Sequence, residues 1–388
     1  MTMPPVSMPP VSMPLVSMPL APGATIGILG GGQLGRMSAL SAARLGYRTH
    51  VFSPEVAGPG AQVMTESTVA DYGDMDALIR FADSVDVVTF EFENVPHATL
   101  AALEGRVACR PGPGVLAACQ DRAVEKRVLA EAGVPVGAWA LIAERSDLAP
   151  ALARTGLPAV LKTTRLGYDG RGQAVVRTLA EAEAAFDRLA PHPLIAEAFI
   201  PFVAEVSAIV ARGADGATVT FDAIENRHRH HILDLSYAPA RIPAATAAAA
   251  RAHAAAMATA LDLVGVLAVE FFLLDDGRLL GNEMAPRPHN SGHWTMDACA
   301  VSQFDLHIRA VAGLPLLPPG RHADAVMRNL VGQEGMARVP DLAAQPDVAL
   351  HLYGKAEARP GRKMGHATRR FPAGALSFLP DGAVLAGL

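Results

Sequence analysis

Apolar residues follow two rhythms along this chain, and each change of rhythm marks a new element. From Ala24 the run TIGILG is apolar without alternation, as a strand covered on both faces must be, and it ends in glycines. GGGQLGRMSALSAARLG then takes helical spacing and stops at Gly46. YRTHVFS, VDVVTFEFEN and RVACRPGP repeat the strand pattern between helical stretches. Strands alternating with helices predict a doubly wound, Rossmann-like parallel sheet over residues 24–112.

Beyond it the pattern changes. DRAVEKRVLAEAG reads as a helix with Asp121 near its start, stopped by Gly133 and Pro135. PAVLKTT and AVVRT read as strands on either side of a glycine loop, followed by a helix to about residue 189. LIAEAFI, AEVSAIVAR and ATVTFDAIEN predict strands of a second, mostly antiparallel sheet. The alanine-rich stretch 244–262 predicts a helix, and VGVLAVEFFLLDDGRLLGNEMAPR a hairpin turning at Asp276-Gly277. After PLLPPG, short strands and turns alternate to the end, which predicts a small β-rich C-terminal domain. The chain thus divides into residues 1–23, 24–112, 113–316 and 317–388, and its class is α/β (α+β). In the first part a five-residue Met/Pro repeat carries no charge and too many prolines for a helix or an interior strand, which predicts a disordered tail. It lacks the basic start and unbroken apolar core of a signal peptide.

Composition narrows the function. With 388 residues, half of them apolar, the chain is long enough for two or three cores. A net charge of −5 argues against nucleic-acid or membrane-surface binding, so an anionic substrate must be met by local cations. No apolar run is long enough to span a bilayer. Cys109, Cys119 and Cys299 have neither zinc spacing nor an even count, consistent with a reducing, cytoplasmic location.

Gly30-x-Gly32-x-x-Gly35 matches the dinucleotide fingerprint between a strand and a helix. The acidic residue that should end the next strand and hold a ribose is missing, since that strand runs into Ser53-Pro54. Two readings remain: backbone N–H groups that hold an anion such as a phosphate, or a tight turn for packing.

The hairpin is more informative. With a two-residue turn at Asp276-Gly277, Glu270 falls opposite Glu283, at a Cβ separation of about 4.5–5.5 Å. Two carboxylates so placed repel unless a cation or a proton lies between them, and Mg²⁺ carrying ATP phosphates suits the pair, with Asn282 beside it. A three-residue turn would shift the register by one and send one glutamate to solvent. Upstream, Lys162 precedes Gly167-Tyr168-Asp169-Gly170-Arg171-Gly172, a loop able to close over phosphates or an ordinary hairpin connection with two cations. Arg287-Pro288-His289-Asn290-Ser291-Gly292-His293-Trp294 gathers donors for a small oxyanion, or forms a structural loop around a buried Trp294. Asn226 to His231 is histidine-rich without tetrahedral zinc spacing, and Lys355, Arg359, Arg362 and Lys363 form a basic group.

ILGGGQLGRM, TFEFENVP, DRAVEK, LGYDGRGQ, ENRHRHHIL, GVLAVEFF, NEMAPRPHNSGHWT, SQFDLH and RPGRKMGH occur in this order over about residues 25–368. Together they resemble the N5-carboxyaminoimidazole ribonucleotide synthase family of ATP-grasp ligases. The resemblance implies an ATP-grasp fold, ATP and Mg²⁺ as cofactors, and aminoimidazole ribonucleotide and bicarbonate as substrates. It implies that Arg122, Lys162 and the loop Gly167, Tyr168, Asp169, Gly170, Arg171, Gly172 and Gln173 serve the phosphates. Glu197, Ala198, Phe199 and Ile200 would line the adenine, Glu205 the ribose, and His228 and Asn282 would also contact the nucleotide. Glu270 and Glu283 would carry Mg²⁺. Gln33, Leu34, Glu93, Tyr168, Asp169, Arg171, Lys355 and Arg362 would surround the ribonucleotide, and Arg287, His289 and Asn290 would hold bicarbonate. Lys162, Asp169, Arg287, His289 and Asn290 are the implied catalytic groups, with Asp169 or His289 as the general base. A homodimer and hand-over of the product to a mutase are implied as well. One departure stands out: His230-His231 occupies a position where the family carries a small Asp-Gly or Asn-Gly turn.

Overall fold

The computed structural model describes residues 19–165, 172–189 and 191–388. Its first sheet holds β1 (Thr25–Leu29), β2 (Arg48–Ser53), β3 (Glu66–Val69), β4 (Val87–Phe90) and β5 (Ala108–Cys109). They lie in the order β3-β2-β1-β4-β5, all parallel. Every residue of β1 and β4 is buried, because helices cover both faces and leave no side for polar residues. Leu29, Phe52, Phe81, Phe90 and Leu100 fill one side of this sheet. On the other side the core reaches back to Leu20, whose carbonyl accepts the Tyr47 hydroxyl and whose N–H donates to Ala312. The predicted disordered stretch to residue 23 therefore ends too late: Leu20 is already packed, since an apolar side chain beside Ile26, Ile28 and Val311 gains more from burial than from freedom.

A second sheet of β6 (Trp139–Ile142), β7 (Ala159–Thr163), β8 (Gln173–Val176) and β9 (Leu194–Ala198) is antiparallel in the order β6-β9-β7-β8. The helix Arg122–Glu131 leads into it, and Asp121 caps that helix by accepting from the N–H groups of Ala123 and Val124.

The largest sheet has nine strands. β10 (Ala204–Arg212), β11 (Thr218–Thr220), β12 (Ile224–Arg229), β13 (Ile232–Ala238), β14 (Gly265–Leu273) and β15 (Leu279–Ala285) come from the middle of the chain. β16 (Ala323–Val331), β17 (Val348–Leu352) and β18 (Lys363–Pro372) come from its end. The order is β15-β14-β10-β12-β13-β16-β18-β17, with β11 beside β10. Two expectations change here. The LIAEAFI strand is β9 and belongs to the four-stranded sheet, and ATVTFDAIEN breaks into β11 and β12. The strands of the β-rich C-terminal region, as expected in kind, extend this same sheet, because β16 pairs with β13 and continues the ladder. Seven of the nine β16 residues are buried, the pattern of a strand covered on both faces rather than a free edge. The helix Ala244–Ala260 lies against this sheet through Ala250, Ala254, Met257 and Ala258, a face of mostly methyl groups that allows close approach. Among the described residues no helix is long and apolar enough to cross a membrane.

The hairpin of β14 and β15 departs from prediction in one detail with a large consequence. Leu273 pairs with Leu279, Leu274 N–H donates to Arg278, and the loop is Asp275-Asp276-Gly277 with Gly277 at φ 84°. The turn therefore has three residues, because left-handed Gly277 closes it with a bulge. On its own this would slip the register. A second bulge lies between Glu270 and Phe271, where Asn282 is the extra residue on β15, and it restores the pairing of Glu270 with Glu283.

Candidate active site

The helix Arg122–Glu131 joins the two antiparallel sheets. Its first residue donates its backbone N–H to Thr164 and its guanidinium to the Thr163 carbonyl at 3.1 Å, next to Lys162 at the end of β7. One turn on, Lys126 reaches across to β15 and donates to the carbonyls of Gly281 at 3.2 Å and Asn282 at 2.7 Å. The Lys126 ammonium also meets Glu197 at 3.3 Å, and Lys162 meets the same oxygen at 3.2 Å. Burial opposes the charge of Glu197, but the two lysines outweigh it and lower the carboxyl's pKa. Lys126 thus joins the candidate site, although the motifs gave it no role. Its signal was present, since it lies four residues after Arg122 on one helix face.

Glu270 and Glu283 face one another from β14 and β15. His289 Nε2 lies 2.9 Å from Glu270. Burial opposes ionisation of Glu270, and His289, bonded to it, tips the balance so that its pKa falls. Glu283, the more exposed of the two, moves the other way: loss of water around its carboxyl within the cleft, and then the charge of Glu270, raise its pKa. Beneath them Glu125, buried at 3 % exposure, accepts the Met284 N–H at 2.6 Å. Burial first, and Glu283 second, push its carboxyl up to about 8. Three acids thus converge here with few fixed partners, an arrangement suited to a bound cation.

Beyond β15, Arg287 grips Glu93 with two hydrogen bonds, one of 3.1 Å from Nη2. Burial works against Glu93, yet this guanidinium holds its carboxyl down at about 2. An expected bicarbonate residue and an expected ribonucleotide residue thus occupy one another. Asn290 exchanges amide hydrogen bonds of 3.0 and 2.7 Å with Asn329 of β16, so a C-terminal strand steadies the oxyanion loop.

The glycine turn is filled from within. Glu91 accepts the N–H groups of Gly32 and Gly35 at the start of the helix Gln33–Arg44, the latter at 2.7 Å. A Cβ on Gly32 would stand 2.6 Å from a Glu91 oxygen. Of the two readings of this turn, the anion it holds is the chain's own carboxylate, bonded to the glycines that flank Gln33 and Leu34. Lys355 sits near it, donates to the Lys363 carbonyl at 2.8 Å, and is pushed down to about 8 by burial and then by Arg362. Arg362 donates to the Glu357 carbonyl at 3.0 Å.

At the other end of the cleft, His228 Nδ1 lies 2.6 Å from Glu205. His230 and His231 take φ of 53° and 63° and close the β12–β13 hairpin, so the turn keeps its left-handed shape without glycine. Ala198 ends β9 and Phe199 and Ile200 follow it, with Phe199 exposed and its two neighbours half-buried. Gly172 accepts the Thr163 N–H and Gln173 pairs with Lys162. Gly167, Tyr168, Asp169, Gly170 and Arg171 lie outside the described residues.

Asp297, His351 and His366 offer ligand atoms within 4.8 Å of one another. The rings of His351 and His366 are stacked, 4.6 Å apart and 16° from parallel; His351 Nε2 lies 3.0 Å from Asp297, and His366 Nδ1 lies 2.9 Å from the Tyr353 hydroxyl.

Residues 23–120 match the ribonucleotide synthetase preATP-grasp domain, 127–304 the ATP-grasp domain, and 325–371 the phosphoribosylaminoimidazole carboxylase C-terminal domain. An N5-carboxyaminoimidazole ribonucleotide synthase of Brucella melitensis is 49 % identical over 353 residues, 90 % of this chain and 97 % of the relative. The Staphylococcus aureus N5-carboxyaminoimidazole synthetase complexed with ADP superposes with a TM-score of 0.87 at 37 % identity, covering 92 % of this chain and 95 % of that one. The Aspergillus clavatus synthase in complex with ADP and 5-aminoimidazole ribonucleotide gives 0.85 at 31 % identity, covering 90 % and 94 %. On this similarity, which spans all three sheets, the chain belongs to the N5-carboxyaminoimidazole ribonucleotide synthase family and is an ATP-grasp carbon–nitrogen ligase.

Proposed function

We propose that this cleft carboxylates 5-aminoimidazole ribonucleotide with bicarbonate at the expense of ATP, giving N5-carboxyaminoimidazole ribonucleotide, ADP and phosphate in purine biosynthesis. The observation that carries the reading is the Glu270–Glu283 pair, set across one hairpin beside His289. Arg122, Lys126 and Lys162 stand in the wall next to it.

The two facing carboxylates, with Asn282 beside them, fit Mg²⁺. Bound there, Mg²⁺ supplies positive charge to the ATP phosphates. Lys162 and Arg122 neutralise the remaining phosphate charge, and Lys126 keeps Glu197 paired when Lys162 turns to the nucleotide. Glu197 to Ile200 receive the adenine, and Glu205 with His228 the ribose. Arg287, His289 and Asn290 orient bicarbonate for attack on the γ-phosphate, which turns a poor electrophile into carboxyphosphate. The amine of the ribonucleotide then captures the activated carbon and phosphate leaves. Gln33, Leu34, Glu93, Lys355 and Arg362 hold that ribonucleotide, and Glu93 has to share Arg287 with the incoming anion. Gly167, Tyr168, Asp169, Gly170, Arg171, Gly172 and Gln173 serve the phosphates and the ribonucleotide by their chemistry. Keeping water from carboxyphosphate is essential, because the intermediate hydrolyses readily. A homodimer, a cytoplasmic setting and transfer of the product to a mutase complete the reading.

The test is ADP release from ATP, Mg²⁺ and bicarbonate, with and without the ribonucleotide. Strong stimulation by the ribonucleotide is expected. None, in folded protein that binds ATP, would point to another amine acceptor.

A further inference from the structure

Behind His289 an unbroken line of hydrogen bonds leads away from the cleft. His289 Nδ1 lies 2.8 Å from Ser291 Oγ, and Ser291 Oγ lies 2.8 Å from Ser207 Oγ. Asn226 Nδ2 donates to Ser207 Oγ at 2.9 Å, and Ser236 Oγ donates to Asn226 Oδ1 at 2.9 Å. The line starts on β13, crosses β12 and β10, and ends in the short turn Asn290–Gly292 after β15. Ser207, Ser236 and Ser291 are 0 % exposed and Asn226 is 5 % exposed. Polar side chains at such depth cost free energy unless bonded, and small apolar residues would fill the same space.

The line has a direction. The Ser291 backbone N–H donates to His289 Nδ1 at 3.3 Å, and a backbone N–H can only donate. His289 caps its turn through this ring nitrogen. Ser207 Oγ already receives the Asn226 amide, so its own proton is free for Ser291, and the Ser291 proton for Nδ1. With Nδ1 accepting on two sides, the neutral ring carries its proton on Nε2, the atom 2.9 Å from Glu270 Oε1.

We propose that Ser236, Asn226, Ser207 and Ser291 act as positioning residues that hold His289 in its Nε2–H form. His289 then shares this single Nε2–H between Glu270 and the small oxyanion as a hydrogen-bond donor, and is not the proton acceptor of the reaction. The role in the reaction rests on the carboxylation reading above, whereas the tautomer does not.

Two experiments separate them. Two-bond ¹H–¹⁵N spectra of the ligand-free, histidine-labelled protein at pH 8, assigned with His289→Gln, report the tautomer without any substrate. A protonated Nε2 is expected, and a protonated Nδ1 overturns the proposal whatever the enzyme carboxylates. In turnover assays Ser291→Ala is expected to raise KM for bicarbonate by roughly five- to tenfold, the scale of one hydrogen bond, while KM for ATP stays put. His289→Gln places an amide N–H near the Nε2 position and should retain at least about ten times the activity of His289→Ala. Equal losses in the Gln and Ala variants would assign His289 a proton-transfer role and sink the donor role.

Discussion

The glycine turn at Gly30–Gly35 and the hairpin of β14 and β15 both concentrate groups that bind charge, and the chain treats them in opposite ways. At the turn, the N–H groups of Gly32 and Gly35 are met by Glu91 from the end of β4. Burial raises the Glu91 pKa, and the two N–H groups pull against that rise. The pocket that resembles a dinucleotide fingerprint is closed by its own carboxylate. At the hairpin, Glu270 and Glu283 oppose one another with His289 as the direct partner of one of them, and Glu125 adds a third acid beneath. Charge that is cancelled internally leaves no work for a ligand. Charge left uncancelled at the mouth of a cleft is where a ligand acts, and only the second place has it.

The sharpest way to break this contrast is at the hairpin. Glu270→Gln or Glu283→Gln should cut turnover by about 10³-fold or more, as loss of an electrostatic anchor does. Both should leave the melting temperature unchanged or slightly higher, because a like-charge pair is relieved. Near-normal ADP release in either variant would remove the cation site from the argument. Next in size is Lys126→Met, which strips a buried cation from Glu197 and two carbonyls. A stability loss of about 3 kcal/mol is expected in denaturant unfolding, and less than additive loss when Glu197→Gln is combined with it. A neutral melt would show that Lys162 alone balances Glu197.

At the glycine turn the effect should be structural. Glu91→Gln keeps one acceptor but turns an amide donor toward the other N–H, costing about 1–2 kcal/mol, with no gain of nicotinamide dinucleotide binding. Dinucleotide binding by that variant, seen by fluorescence, would mean the turn is a masked cofactor site. The smallest effect concerns pH. Lys355 has its pKa lowered to about 8, so it is cationic below that value and neutral above it. KM for the ribonucleotide should rise a few-fold as pH climbs through 8, and Lys355→Arg, charged throughout, should flatten the profile. A flat wild-type profile would take Lys355 off the phosphate.

How the sequence misled is as informative as where it succeeded. The pairing of Glu270 with Glu283 follows from a two-residue turn that the molecule does not have. It is reached through a three-residue turn and a compensating bulge at Asn282, and bulge placement leaves no local signature in a strand of this composition. Of the two acids in TFEFENVP, the resemblance singles out Glu93, which takes Arg287, while Glu91 escapes notice because its partners are backbone N–H groups. Lys126 was readable from helix spacing, but its value depends on the carbonyls of β15.

What the residues determine by themselves is local: the buried runs of the parallel sheet, the Asp121 cap, the left-handed turns and the alanine face of the helix Ala244–Ala260. These depend on side-chain period and backbone sterics within a few positions. Which sheet β9 joins, that β16 extends the central ladder, and which charges cancel were decided only in three dimensions. Arg287 meets Glu93 across 194 residues, and Glu125 meets Met284 across 159. No local pattern encodes such partners, because charge balance is a property of groups brought together by packing, and packing is settled by the whole chain at once.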